Sequence, residues 1–494
     1  MEITTPPPKN IDPLQPPIPE EGRLPTLLEA MIPVLFMMVA LVTGIFFLET
    51  SPHIPLLVSV MVAALVALRL GYTWSRIEKG MLDAVRLALQ AILILMVIGT
   101  IIASWIAAGI VPTLIYYGLN ILEPKYFLVA ACGISCIISI ASGNAWTAAG
   151  TIGIAIMGIG YGLGMKPEMV AGAVISGVYF GDKISPLSES TNLAPGIVGV
   201  DLFEHIKYML YTTIPALVIS LILFTILGLN YSSEMVDSAN VTLTLQHDLK
   251  ELFVISPWLL LVPCLIIVVM IFRIPAFPGL MIGSLLGVLC AIFIQEADAG
   301  MVINALYDGY SIQTSNETLA KLLNNGGITS VLFTVSLVMI AMCFGGILEF
   351  TKIFEVLMQQ IVKIAKTTKS LIVSTVATCI TGNIVGCDQY MSIIIPGRMY
   401  ADEYRKRGIK PKVLSRTLED AGTMTSPLIP WNTCGAFMTT TLGVSSFAYL
   451  PYTFLCLLSP IIAITYALTG FTIEYYEEGE KPKKIRRFRM GKRL

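Results

Sequence analysis

Two segments of this chain, each set within an apolar stretch, carry residue types that could bind a metal cation. Carboxylate, hydroxyl and amide groups supply the hard oxygen atoms that hard cations prefer, and we extend that preference to sodium. The candidate ligands of the first segment are Asp182, Ser185, Ser188, Glu189, Thr191 and Asn192. Those of the second segment are Glu419, Asp420, Thr425, Ser426, Asn432 and Thr433. The two segments together predict a sodium site.

Proline residues in both segments indicate that neither is a continuous helix. Pro186 lies in the first segment, and Pro427 and Pro430 lie in the second. Proline removes a backbone donor and clashes with the preceding turn, so a helix breaks there. At membrane depth the freed backbone groups must be buried in protein or line a cavity. We therefore expect residues 190–192 and 432–433 to face each other, with Asn192 and Asn432 at matching positions.

Two alternatives remain for these segments. The first segment could be a charged cytoplasmic loop with a solvated pair of Asp182 and Lys183. The hydroxyl and amide groups could serve as polar contacts between packed helices, which is a common use of Ser, Thr and Asn in membrane proteins. If the segment is a cation site, we expect Lys183 to offset the charge of Asp182 as its partner.

A second pair of similar segments contains further polar residues. Ser142-Gly143-Asn144 resembles Thr381-Gly382-Asn383, and Asp388 follows the second of these. Asn144, Asn383 and Asp388 are therefore also candidate ion or proton ligands. Asp388 is the only charge between Lys369 and Arg398, and an acidic group in apolar surroundings can bind either a proton or a metal ion. The alternative for Asp388 is a structural ion pair with Arg398.

The elements that position these residues follow from hydropathy and charge. Residues 126–165 carry no charge and 370–397 carry one, so each is predicted to be a re-entrant hairpin. Residues 168–200 and 413–443 are predicted to be interrupted helices. With five full spans in each half, the basic residues fall on one face, which predicts cytoplasmic termini. An odd number of spans inverts the second half, so we predict an all-α membrane protein of about ten transmembrane helices in two inverted repeats.

Domain boundaries follow from the same pattern. We predict a disordered cytoplasmic tail at 1–26, the first inverted repeat at 27–229 and an external connector at 230–251. The second inverted repeat is predicted at 252–472, with a basic cytoplasmic tail at 473–494.

Composition supports a membrane protein and excludes several other classes. Of 494 residues, 55% are hydrophobic and only 13% are charged, which is typical of a polytopic membrane protein. The sequence contains no Gly-rich phosphate loop with its lysine, no catalytic triad signature and no nucleic-acid module. We therefore expect a transporter that is not an enzyme, has no cofactor and contacts lipid but no nucleic acid. A homodimer is left open.

Four motifs resemble the NhaC-type sodium/proton antiporter family, within the ion-transporter superfamily. The motifs are YFGDKISPLSESTNLAP at 179–195, WTAAGTIG at 146–153, DQY at 388–390 with PGRM at 396–399, and TSPLIPWNT at 425–433. The resemblance covers about residues 30 to 470 and implies a bacterial or archaeal inner-membrane antiporter of sodium and protons with two inverted repeats. Some members of this family resemble exchangers of malate for lactate, so sodium-coupled exchange of a small carboxylate or an amino acid is the alternative. Asn144 and Cys387 depart from the residues expected at their positions.

Overall fold

The computed structural model describes residues 22–234, 238–272, 274–314, 316, 319–320 and 323–477, without the side chains of 232–242, 270, 271 and 276. Most of the predicted tails, at 1–21 and 478–494, lies outside this part of the chain, as does a piece of the predicted connector. Just before position 27, the Arg23 amide donates to the Leu70 carbonyl at 2.9 Å and Thr26 caps the first helix.

Within the described residues the protein is helical, with one isolated β-bridge between Ile409 and Tyr475. The helices of the N-terminal part are α1 (Leu27–Val42), α2 (His53–Arg69), α3 (Trp74–Ala107), α4 (Ile110–Ile121), α5 (Pro124–Ser142), α6 (Ala145–Ala148), α7 (Ile154–Gly162), α8 (Pro167–Ile184), α9 (Glu189–Val198), α10 (Leu202–Glu234) and α11 (Ser238–Leu252). Those of the C-terminal part are α12 (Leu261–Ile271), α13 (Ala276–Phe293), α14 (Ala299–Asp308), α15 (Gly327–Phe350), α16 (Ile353–Ile364), α17 (Thr368–Val385), α18 (Gln389–Lys406), α19 (Pro411–Leu418), α20 (Thr433–Leu442), α21 (Ser446–Tyr449) and α22 (Phe454–Thr469).

Several of these helices are long and apolar enough to cross a membrane. Six described helices meet that condition, and the number is eight if each of two bent pairs counts as one span. The predicted class of polytopic all-α membrane protein is therefore confirmed. The number of ten spans stays a prediction, and so does the re-entrant course of the two hairpins, because α5 and α17 are themselves among the six.

Both predicted interruptions are present. α8 ends at Ile184, one residue before Ser185 and Pro186, and α9 begins after Ser188, whose hydroxyl accepts from the Thr191 amide at 3.3 Å. α19 continues into a π-helical turn at Glu419–Thr423 and a short 3-10 turn at Ser426–Leu428. The chain then re-enters a helix, α20, behind the capping residue Asn432.

Backbone landmarks in the two halves recur at a constant separation of 244 residues. α5 starts at position 124 and α17 at 368, whereas α8 starts at 167 and α19 at 411. The recurring single residues are the left-handed pair Gly143 and Cys387, the helix caps Asn144 and Asp388, the caps Ser188 and Asn432, and the left-handed C-caps Gly199 and Gly443. This register corrects two matches predicted from the sequence, because Asn144 corresponds to Asp388 rather than Asn383, and Asn432 to Ser188 rather than Asn192.

In each half, the last turn of the first helix of the hairpin contacts the interruption. The Ser185 hydroxyl donates to the Ile140 carbonyl at 2.9 Å. In the other half the Trp431 indole donates to the Ile384 carbonyl at 2.8 Å, and Ile140 and Ile384 are again 244 positions apart. Gly143 packs so closely on Leu187 that a Cβ there would lie 2.5 Å from the Leu187 Cβ. Each hairpin tip is therefore held against the broken helix of its own half.

Candidate functional site

A cavity of about 180 Å³ lies where the two hairpin tips and the two interruptions meet. It is lined by residues of all four polar motifs and by part of α3. The polar and aromatic lining residues are Gln90, Asn144, Trp146, Tyr179, Asp182, Glu189, Ser190, Asp388, Gln389, Tyr390, Thr433 and Cys434. Among the described residues of the lining, three are acidic and none is basic.

Most of this lining comes in pairs that share the 244-residue register. The pairs are Asn144 with Asp388, Ala145 with Gln389, Trp146 with Tyr390, Glu189 with Thr433, and Ser190 with Cys434. Every pair lies at the N-terminal start of a helix, because the helices concerned begin at 145, 389, 189 and 433. Four helix N-termini therefore surround the cavity.

Asp388 is the capping residue of α18 and is 8% exposed. Its Oδ1 accepts from the amides of Tyr390 at 2.8 Å and Met391 at 3.3 Å, and its Oδ2 accepts from the Thr433 hydroxyl at 3.1 Å. The alternative ion pair with Arg398 is not formed. Arg398 lies ten residues further along α18, or about 15 Å at 1.5 Å per residue, and it is exposed.

Asp182 lies in the last turn of α8 and is 7% exposed. The Ser190 hydroxyl donates to its Oδ2 at 3.4 Å and also lies 3.1 Å from the Ser188 hydroxyl. The Thr191 hydroxyl donates to the backbone carbonyls of Asp182 at 2.8 Å and Lys183 at 3.0 Å. Thr191 therefore supplies a hydrogen-bond donor to the free backbone carbonyls at the end of α8, whereas the Asp182 carboxylate is directed to the cavity.

Lys183 does not pair with Asp182, and this corrects the expectation from sequence. Its ammonium group is fully buried, forms an ion pair with Asp420 and donates to the Ser459 hydroxyl at 2.8 Å. Asp420 also accepts from the Thr212 hydroxyl at 2.8 Å, and its Oδ2 lies 3.8 Å from Arg416 Nε. Consecutive residues of a helix point about 100° apart, so neighbours in sequence face different surroundings.

Asn192 and Asn432 differ in their surroundings, and neither lines the cavity. Asn192 is exposed and donates to the carbonyls of Pro186 at 2.9 Å and Ser188 at 2.6 Å. Asn432 is fully buried, caps α20 through the Cys434 amide at 3.0 Å and donates to Asn383 at 3.2 Å. The expected face-to-face arrangement of 190–192 and 432–433 therefore holds only for Ser190 and Thr433, which share the cavity.

Asn383, Thr425 and Ser426 join α17 and α18 to the second interruption. The Asn383 amide donates to the Gly422 carbonyl at 2.7 Å and to the Thr425 hydroxyl at 2.9 Å. The Ser426 hydroxyl donates to Gln389 Oε1 at 3.0 Å. These buried groups lie behind the cavity and support its wall.

Glu419 is a buried carboxyl group behind the cavity. It is fully buried and accepts from the Thr423 hydroxyl at 2.5 Å through Oε2. Its Oε1 has no hydrogen-bond partner among the described residues.

Several lining residues were not predicted from sequence. The Tyr390 hydroxyl donates to Glu189 Oε2 at 2.8 Å, and Gln90 Nε2 lies 3.5 Å from Glu189 Oε1, so these groups link three helices at the edge of the cavity. Trp146 stacks on Phe437 with ring centroids 4.3 Å apart. Trp146, Gln389 and Tyr390 lie one or two residues after the predicted Asn144 and Asp388, and Cys434 is the partner of Ser190 in the register of 244. Gln90 has no such signal.

Comparison with known proteins shows which family this arrangement belongs to. The sequence model described as the Na+/H+ antiporter family matches residues 177–471. The chain is 40% identical over 438 residues to "Na(+)/H(+) antiporter NhaC" of Alkalihalophilus pseudofirmus, covering 88% of this chain and 94% of that protein. The chain belongs to the Na+/H+ antiporter family and is a multi-pass membrane protein.

Two further relatives have different printed names. "Malate-2H(+)/Na(+)-lactate antiporter" of Bacillus subtilis is 40% identical over 457 residues, with 92% of this chain and 97% of that protein covered. "Arginine/ornithine antiporter ArcD" of Halobacterium salinarum is 35% identical over 464 residues, with 94% and 96% covered. All three relatives are named as antiporters.

Proposed function

We propose that this protein is a secondary active antiporter that exchanges sodium ions for protons across a bacterial or archaeal inner membrane. The observation that carries the proposal is the cavity, into which three carboxylates converge from both halves with no basic side chain among its described lining. A cavity with this excess of negative charge attracts a cation. The name of the relative from Alkalihalophilus pseudofirmus supports sodium and protons as the exchanged ions.

The cation site lies between Asp388 and Asp182. Asp388 stays close to the N-terminus of α18, whose amides stabilise its negative charge. Asp182 lies at the C-terminal end of α8, where the helix dipole favours a cation. Thr433 and Asn144 add neutral oxygen atoms at the same cavity, so a bound sodium ion would exchange its water ligands for these groups.

The two inverted repeats supply the movement. The constant register of helix ends supports a duplicated unit, and the predicted re-entrant course is supported by the length of α18. From Gln389 to Gly397 this helix offers nine residues before Arg398, or about 14 Å, which is less than half of a hydrocarbon core of about 30 Å. The hairpin of α17 and α18 therefore enters and leaves on one side, and the cavity between the repeats opens alternately to the two faces.

A second candidate function is exchange of a small organic solute coupled to sodium. The size of the cavity favours this candidate, because about 180 Å³ exceeds what a single dehydrated ion fills. The aromatic side chains of Trp146, Tyr179 and Tyr390 could pack against a carbon skeleton. An amino acid fits this lining better than malate or lactate, because its ammonium group would meet the carboxylates.

Purified protein in liposomes with an internal pH dye tests both candidates. Under the first, external sodium raises the internal pH of vesicles containing wild-type protein and has no effect with Asp388→Asn. Potassium serves as the matched control salt, and malate, lactate, arginine and ornithine are added in turn. A pH change that requires one of the organic solutes would replace the first candidate with the second.

A further inference from the structure

Five charged side chains form a buried cluster that reaches the cavity through Asp182. They are Asp182, Lys183, Arg416, Glu419 and Asp420, and each is at most 7% exposed. Three are acidic and two are basic, so the cluster has one excess negative charge when every member is ionised. Low-dielectric surroundings penalise an unbalanced charge strongly, so one additional positive charge is needed.

The two basic groups of this cluster are both engaged by Asp420. Lys183 pairs with Asp420 Oδ1, and Arg416 Nε lies 3.8 Å from Oδ2. Glu419 directly precedes Asp420 in the sequence, but no ion pair joins it to a described basic residue. It receives a single hydroxyl donor, from Thr423, and its second oxygen has no partner in the described part of the chain. Of the two carboxyl groups of the cluster that do not line the cavity, Glu419 is thus the one without a basic partner among the described residues.

Asp388 differs from Glu419 in this respect. Two backbone amides and a hydroxyl donate to Asp388, which can therefore remain ionised and hold a cation. Glu419 has no comparable set of donors and does not line the cavity. The charged groups that act on it are Asp182 and Lys183 of α8 and the adjacent Asp420, and the thiol of Cys379 on α17 also interacts with it.

We infer that Glu419 carries the proton at a site separate from the cavity in which sodium binds, an inference that rests on the proposed sodium/proton exchange. A sodium ion beside Asp182 supplies the missing positive charge, and Glu419 then releases its proton. When sodium leaves, Glu419 takes up a proton and the cluster is neutral again. The two ions therefore compete through the shared charge of the cluster and not for the same atoms.

Two transport assays on the same liposomes separate this inference from the proposed function. Sodium counterflow, measured with a radioactive sodium tracer at equal sodium concentrations, requires only the cation site. Sodium-driven proton movement requires both sites. Glu419→Gln keeps the size of the side chain and can still accept from Thr423, but it cannot release a proton.

We expect Glu419→Gln to lower the rate of sodium-driven proton movement at least about tenfold. A change of one pH unit has an effect of this size on the binding of a competing proton. The sodium counterflow of this variant should persist at high sodium concentration but with a weaker apparent affinity for sodium, because the neutral amide resembles the protonated carboxyl group, and it should lose the pH dependence of the wild-type protein. Glu419→Asp should keep proton coupling with a displaced pH midpoint. Coupled proton movement at the wild-type rate in Glu419→Gln overturns the inference, and so does loss of both activities at saturating sodium concentrations. If wild-type protein itself couples no protons to sodium, the proposed function fails.

Infrared difference spectroscopy of the full chain covers the case in which Glu419→Gln does not fold. Sodium added to wild-type protein should remove a C=O stretching band of a protonated carboxyl group. In Glu419→Asp the same band should be displaced in frequency. A sodium-dependent band that is identical in wild-type and Glu419→Asp proteins places the proton on another group and overturns the inference.

Discussion

Asn144 and Asp388 occupy equivalent positions in the two halves and differ by one charge. Each follows a residue with a left-handed backbone, each caps the next helix with its side-chain oxygen, and each lines the same cavity. The negative charge of this pair is therefore supplied by the second half alone.

The first prediction moves that charge across the cavity. Asp388→Asn should abolish sodium-driven proton movement, and adding Asn144→Asp should restore it to at least about tenfold above the single variant, because a carboxylate returns to the same cavity at a helix N-terminus. The measurement is dye-reported proton flux in liposomes. Asn144→Ala with Asp388→Asn is the control and should stay inactive. Equal rates for the two double variants would show that the positions are not interchangeable.

The second prediction concerns the backbone of Cys387. This residue has φ 57°, a region in which a side chain costs free energy, whereas the equivalent Gly143 has φ 68°. Cys387→Gly should unfold at a higher temperature than Cys387→Ala, with a difference of about 1 kcal/mol in the free energy of unfolding. Thermal unfolding in detergent measures it. If the alanine variant is as stable as the glycine variant, the left-handed conformation carries no strain.

The third prediction concerns the buried pair of Lys183 and Asp420. Lys183→Met leaves Asp420 without its main cation and should lower the free energy of unfolding by about 3–5 kcal/mol. Adding Asp420→Asn removes the unpaired charge and should recover most of the loss. Lys352→Met is the control, because its pair with Glu355 is partly exposed and should contribute at most about 1 kcal/mol. A double variant no more stable than Lys183→Met would assign the loss to packing of the lysine side chain.

The fourth prediction separates two asparagines that look alike in the sequence. Asn432→Ala removes the cap of α20 and the contact to Asn383, which should shift Thr433. The sodium concentration for half-maximal transport should rise about fivefold, which corresponds to a loss of about 1 kcal/mol. Asn192→Ala, on an exposed residue, should leave that concentration within about twofold. Sodium titrations of proton flux measure both. A larger effect from Asn192→Ala would place it in the ion path.

The fifth prediction concerns the course of the second hairpin. Single cysteines at the exposed positions Thr367 and Lys406, in a protein without its native cysteines, should both react with a membrane-impermeant thiol reagent only from the cytoplasm. Labelling of the two positions from opposite faces would mean a single crossing and would contradict the inverted repeat.

The sequence located the cavity well but did not orient its side chains. Prolines and isolated charges in apolar runs marked the interruptions and Asp388, since a broken helix requires those residue types locally. The direction of Lys183 depends on what packs against each face of α8, which no local pattern contains. The pairing of Asn192 with Asn432 was wrong by a few residues. The Ser-Pro-Leu strings at 185–187 and 426–428 lie 241 positions apart rather than 244, because the second half has three more residues between that string and the cap of the next helix.

The register between the halves also allows the conformation that is open to the opposite membrane face to be derived from this one. Over 124–199 and 368–443 each half can be threaded onto the backbone of the other without a gap, because the main landmarks fall at the same spacing. When each segment takes the backbone conformation of the other, the result is a second arrangement of the whole protein, in which the cavity faces the opposite side of the membrane. Side chains whose exposure differs between the two arrangements then define where water and ions enter from each face.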